Sequence, residues 1–123
     1  MIHLDCAQRS EEWIRARLGK PTASEFNKIL KPSDLGLSSQ RFEYMYRLIW
    51  ERIYQKRSNI IQTYWMQRGI ILEDMAAREC ERIMGIKLTQ VGLLTTDDGR
   101  IACSPDRIVD WEHAMEIKCP NEF

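Results

Sequence analysis

No stretch of this 123-residue chain approaches the run of about eighteen apolar residues that a membrane span needs, and its start lacks the basic-then-apolar order of a signal peptide. Insertion and export are therefore not expected. An excess of charge of one sign is also missing: 18 Lys and Arg face 18 Asp and Glu. That excludes indiscriminate coating of DNA by long-range attraction and leaves only a local patch to bind nucleic acid. Cysteine is scarce and scattered, at Cys6, Cys80, Cys103 and Cys119, without the close pairs of zinc or iron–sulfur ligation. The four read as buried free thiols of a cytosolic protein. Internal repeats and low-complexity segments are absent. What remains, 44% hydrophobic and 29% charged residues, suits one small globular domain over 1–123 with a single core.

The first half reads as helices. Ser10 is a good N-cap, Glu11 and Glu12 place acid in the first turn, and Gly19 ends a helix over 11–18. Trp13 and Arg17, four apart, then share a face and stack. Thr22-Ala-Ser-Glu25 reads as a capping box opening a second helix to about Leu30. With Arg17, Lys20, Thr22 and Ser24 around its start, this is a candidate phosphate pocket or an ordinary cap among solvated basic residues. Residues 40–57 form the next helix, whose stripe of Phe42, Met45, Ile49 and Ile53 is expected in the core. Asn59–Gln62 connects to a long helix capped by Thr63 and stopped near Gly85. On it Gly69, Glu73, Ala76 and Cys80 follow one face, so Glu73 either meets water or points inward at a cation.

From Lys87 the pattern turns extended. Strands are predicted at 88–96, at 100–103 continuing over 107–109, and at 114–119, with Asp97-Asp98-Gly99 as a hairpin-type turn. Pro105 cannot donate to a ladder, so the middle strand should end or bend between Ser104 and Asp106. In the last strand Glu116 and Lys118 fall on one side and Ile117 on the other. Two carboxylates, Asp106 and Glu116, converging on one point would suit a hard divalent cation, and Lys118 would orient or deprotonate a water or steady negative charge. The competing reading makes Glu116 and Lys118 a plain surface ion pair.

These blocks together resemble the lambda-exonuclease, or YqaJ-like viral recombinase, branch of the PD-(D/E)xK nucleases. The blocks are Trp13-x3-Arg17-Leu-Gly-x-x-Thr22-Ala-Ser24, Gly69-x3-Glu73, Ser104-Pro-Asp106 and Glu116-Ile-Lys118-Cys-Pro120. The resemblance implies an α/β (α+β) restriction-endonuclease-like core, with amino-terminal helices and a long helix followed by three strands. It implies Mg²⁺, replaceable by Mn²⁺, held by Asp106, Glu116 and the main-chain carbonyl of Ile117. Lys118 would handle the attacking water, and Glu73 would complete the charge around the metal. Arg17, Ser24 and Ser104 would bind a DNA 5′-phosphate, with Trp13, Lys20 and Thr22 as further candidate DNA contacts, so that the phosphate and metal sites are halves of one cleft. The implied activity is removal of one strand of linear duplex DNA from a 5′-phosphorylated end for recombination. The implied partners are a single-strand annealing protein and further copies in a ring, in the cytoplasm of a bacterial or phage-infected cell.

The family's core continues past its K-C-P block with a helix, another strand and a further polar residue, whereas this sequence reads to Phe123. The expected sheet is thus incomplete at its carboxy-terminal side. A non-catalytic DNA-end or partner-binding module is the alternative function.

Overall fold

Residues 1–57 and 63–120 are described in the computed structural model of the protein. The connector expected at Asn59–Gln62 lies outside them. Two compact units share the chain: Met1–Ser58 with Gly92–Ser104, and Asn59–Val91 with Pro105–Phe123.

In the first unit, strand β1 (Ile2–Leu4) precedes helix α1 (Glu11–Arg17), a 3-10 turn (Ala23–Lys28) and helix α2 (Arg41–Tyr54). Later in the chain β2 (Leu93–Thr95) and β3 (Ala102–Cys103) join β1 in an antiparallel sheet of order β1-β2-β3. Register pairs His3 with Leu94 and Leu94 with Cys103. The Ser10 hydroxyl caps α1 by accepting the Trp13 N–H at 3.2 Å. Gly19 follows with φ +65°, a conformation cheap only for glycine. Trp13, Leu93 and Ala102 form the core, with Leu4, Cys6, Ile14 and Ala16 packed around them.

Sequence and structure part at two places in this unit. Thr22 makes no side-chain cap, and the following segment is a 3-10 turn. Glu25, expected to close a capping box, is drawn away by ion pairs to Arg47 and Lys28. On α2, the stripe of Phe42, Met45, Ile49 and Ile53 is exposed, whereas Tyr44 and Glu51 are buried. Polar anchors choose the inner face. The Tyr44 hydroxyl accepts the Thr22 N–H at 3.1 Å, and the Glu51 carboxylate accepts the Gly19 N–H at 3.1 Å.

In the second unit, helix α3 (Tyr64–Met84) runs from a Thr63 N-cap to Gly85 at φ +65°, as its punctuation predicts. Ala77, rather than Ala76, is its buried small residue. Strands β4 (Arg107–Ile108) and β5 (Ala114–Met115) pair antiparallel, Arg107 with Met115 and Ile108 with Ala114. The strand expected over 88–96 is split. Thr89 bridges to Ile108, and β2 begins only after Gly92. A Cβ at Gly92 would lie 2.2 Å from the Cys6 carbonyl oxygen, so the backbones approach there as only glycine permits. The thiols are free as expected, but all four are half-buried rather than buried.

Candidate functional site

Four-residue spacing on α1 does what it should: the Arg17 guanidinium lies 4.1 Å from the Trp13 ring centroid. Trp13 is buried, and its indole N–H donates to Ser104 Oγ at 2.8 Å and to the Gly92 carbonyl at 3.0 Å. Arg17 donates to the same Ser104 Oγ at 3.3 Å. The Ser104 hydroxyl in turn donates to the Gly92 carbonyl at 2.9 Å. Ser104 is thus held where β3 ends, ahead of the Pro105 bend. Trp13 acts from beneath, fixing the direction of Arg17 and the place of Ser104.

Thr22 is also buried, with its hydroxyl 3.4 Å from that of exposed Ser24. Lys20 spends its ammonium on the Ala16 carbonyl at 2.8 Å. A small cleft is lined by Arg17, Lys20, Thr22, Glu25, Glu51 and Arg57. Burial, and then the neighbouring Arg57 guanidinium, pull Arg17 below the ordinary arginine range. A bound anion relieves both. Arg57 is the residue that sequence reasoning missed. It reads there as one more basic residue at a helix end, and no motif marks it.

In the second unit, Pro105 and Asp106 precede β4, and the ladder stops before them because Pro105 has no N–H to give. The register of Arg107 with Met115, continued by one residue, sets Asp106 opposite Glu116. Asp106 Oδ2 accepts the Ile117 N–H at 2.6 Å, so a side chain takes the bond the ladder would have made. Exposure alternates from Ala114 to Pro120, with Glu116 and Lys118 outward and Ile117 turned in. The expected side-by-side placement of Glu116 and Lys118 holds although β5 ends at Met115. Those two side chains form an ion pair. The hydrogen bond that Lys118 donates to Glu116, with Glu116 and Asp106 as nearby negative charges, raises the Lys118 ammonium above its usual range. Glu73 points inward, as one of its two readings had it, and its cation is Arg107, 3.3 Å away.

Among the described residues, no three His, Cys, Asp or Glu side chains gather to hold a metal. The donors near Asp106 are hard oxygens, namely the carboxylates of Asp106 and Glu116 and the Ile117 carbonyl. Such a set fits Mg²⁺, which takes one or two carboxylates and leaves its other positions to water and phosphate.

This mixed fold of helices and short strands has clear relatives. The YqaJ-like viral recombinase domain matches residues 12–123, and the chain belongs to that family. It is similar to the crystal structure of an alkaline exonuclease, LHK-Exo, from Laribacter hongkongensis, at 34% identity and a TM-score of 0.76. It is likewise similar to LHK-Exo in complex with dAMP, at 35% identity and a TM-score of 0.77. Either comparison covers 91% of this chain and 54% of the other, so the chain spans about half the length of those structures. No curated protein matches the chain in sequence.

Proposed function

We propose that the chain is a Mg²⁺-dependent PD-(D/E)xK deoxyribonuclease that removes one strand of linear duplex DNA from a 5′-phosphorylated end. The observation that carries this reading is the arrangement around Asp106. Its carboxylate lies against the main chain between Glu116 and Lys118, and the strand register sets it opposite Glu116. Asp106, Glu116 and the Ile117 carbonyl would hold the metal. When bound, Mg²⁺ would lower the pKa of water enough for it to give up a proton to solvent and would offset charge on the leaving oxygen.

The chain's own residues do the rest. Lys118, beside Glu116 and the Ile117 main chain, orients the attacking water or steadies negative charge. Arg17 and Ser104, both gripped by Trp13, hold the terminal phosphate; Arg57 lines the same cleft as Arg17, and Ser24 joins them through its contact with the Thr22 hydroxyl. The capture of dAMP by LHK-Exo is in keeping with a deoxynucleotide phosphate as the ligand. Fixing the end limits where cutting can occur and makes stepwise removal natural.

A non-catalytic DNA-end binder is the second reading. It is favoured by the acids' present engagements: Asp106 with the Ile117 amide, Glu116 with Lys118 and Glu73 with Arg107. Incubation of 5′-phosphorylated linear duplex with Mg²⁺, then with EDTA, separates the two. Metal-dependent loss of the 5′ strand, with closed circles spared, is expected; retention of the duplex by a protein that stays intact and does not cut it would establish the second reading.

A further inference from the structure

Arg107 follows directly on the S-P-D block, where sequence reading makes it an ordinary strand residue. Its side chain is only 7% exposed, and it is the hub of the second unit's charges. One guanidinium nitrogen donates to Glu73 Oε1 at 3.3 Å and to the Asp106 carbonyl at 2.6 Å. The other donates to Asp74 Oδ1 at 3.1 Å. Glu73 is itself only 13% exposed, so its charge is compensated at close range by Arg107. Asp74, which is more exposed, is shared with Arg78. Register places Arg107 and Met115 together, and both reach α3, Arg107 through Glu73 and Asp74, Met115 through Cys80. By strand alternation, the positions next to them in the ladder, Asp106 and Glu116, belong to the other face.

We propose that Arg107 is a resident cation that engages Glu73 in place of a metal and sets how tightly the Asp106–Glu116 site holds a divalent ion. Glu73 is then a positioning residue, acting through Arg107, and not a ligand. The inference rests on the metal-site reading above and deepens it. Its physical content is a sign. A permanent positive charge one residue from Asp106 opposes a doubly charged ion, while a residue that merely braced the strand would, if lost, only loosen the site.

The test measures binding rather than turnover, by titrating the protein with Mn²⁺ and reading free ion by paramagnetic resonance. Removing one charge about 8 Å from a divalent ion in a water-like setting changes affinity roughly sixfold at low salt and about twofold at physiological ionic strength. At low salt Arg107→Met should therefore bind Mn²⁺ about sixfold more tightly, and it should melt earlier in EDTA. Glu73→Gln, which leaves Arg107 less compensated, should bind severalfold more weakly. The double variant should return close to wild type, and Arg107→Lys, which keeps the charge, should match wild type throughout. If Arg107→Met alone fails to fold, the Glu73→Gln, Arg107→Lys and double variants decide. Weaker binding in Arg107→Met or in the double variant, or unchanged binding in Glu73→Gln, overturns the proposal. Asp106→Ala is the control. If it binds Mn²⁺ as wild type does, the metal-site reading has failed along with the proposal; if it abolishes binding while the charge variants show no such pattern, only the role of Arg107 has failed.

Discussion

Ser104 has one hydroxyl proton, and it goes to the Gly92 carbonyl while Trp13 and Arg17 donate to its oxygen. To donate to a phosphate, the hydroxyl must turn from Gly92, whose carbonyl keeps its bond from the Trp13 indole. The pocket can therefore change partners without orphaning a buried group. Arg17→Ala removes a charge-assisted contact worth about 1.5 to 3 kcal/mol, or roughly ten- to a hundredfold in substrate use. Degradation of 5′-phosphorylated duplex should slow by that factor and 5′-hydroxyl duplex hardly at all. Equal slowing of both would make Arg17 a general backbone contact. Asp106→Ala and Glu116→Ala should each abolish cleavage with folding retained, because a single carboxylate holds Mg²⁺ weakly and misplaces it. A wild-type rate at low Mg²⁺ in either variant would show that the metal lies elsewhere. Lys118→Ala should lower turnover while leaving divalent-ion binding nearly intact, since a protonated lysine is no ligand; a matching loss of affinity would contradict its assignment to the water.

The 3-10 turn and α2 are joined by Glu25, which pairs with Arg47 and with Lys28 at 2.6 Å. Burial works against its charge, but the hydrogen bonds from Arg47 and Lys28 outweigh it and hold the carboxyl below its usual 4.5. A carboxylate depressed in the folded state contributes stability that is complete above the unfolded value and is lost as pH falls through the folded one. Glu25→Gln should therefore cost about 1 kcal/mol at neutral pH, and the gap in melting temperature should close as pH falls below 4.5. A gap that persists in acid would assign the loss to packing. The elements most legible in the sequence are those whose ends carry their own chemistry. Ser10 and Thr63 cap, Gly19 and Gly85 stop, and Asp97-Asp98-Gly99 turns with Gly99 at φ +67°. The alternation through Glu116, Ile117 and Lys118 was legible for the same local reason. β1 was not, because three residues carry too little pattern. The inner face of α2 was hidden because Tyr44 and Glu51 are chosen by distant partners, Thr22 and Gly19, against the apolar periodicity. Arg107 was hidden likewise: its partners on α3 lie more than thirty positions away in the chain.

Across the molecule as a whole, the balance of 18 charges of either sign leaves recognition to the few residues gathered by folding, and the chain passes between its two units after Ser58, at Gly92 and after Ser104. Gly92 is thus a junction in the chain, the acceptor for Trp13 and Ser104, and a point with no space for a side chain. A methyl group there would meet the carbonyl oxygens of Cys6 at 2.2 Å and Leu4 at 2.8 Å, backbone atoms that no substitution elsewhere can trim. Gly92→Ala should cost about 1 to 3 kcal/mol or more, seen as a lowered melting temperature or loss of soluble protein; a variant melting with wild type would show that the backbone yields. The consequence extends to inheritance. In a saturation library selected for folding alone, with no DNA present, codon 92 should return glycine and little else. A lineage keeping this architecture could then vary its phosphate pocket one side chain at a time, while the carbonyl on which that pocket is built stayed closed to drift.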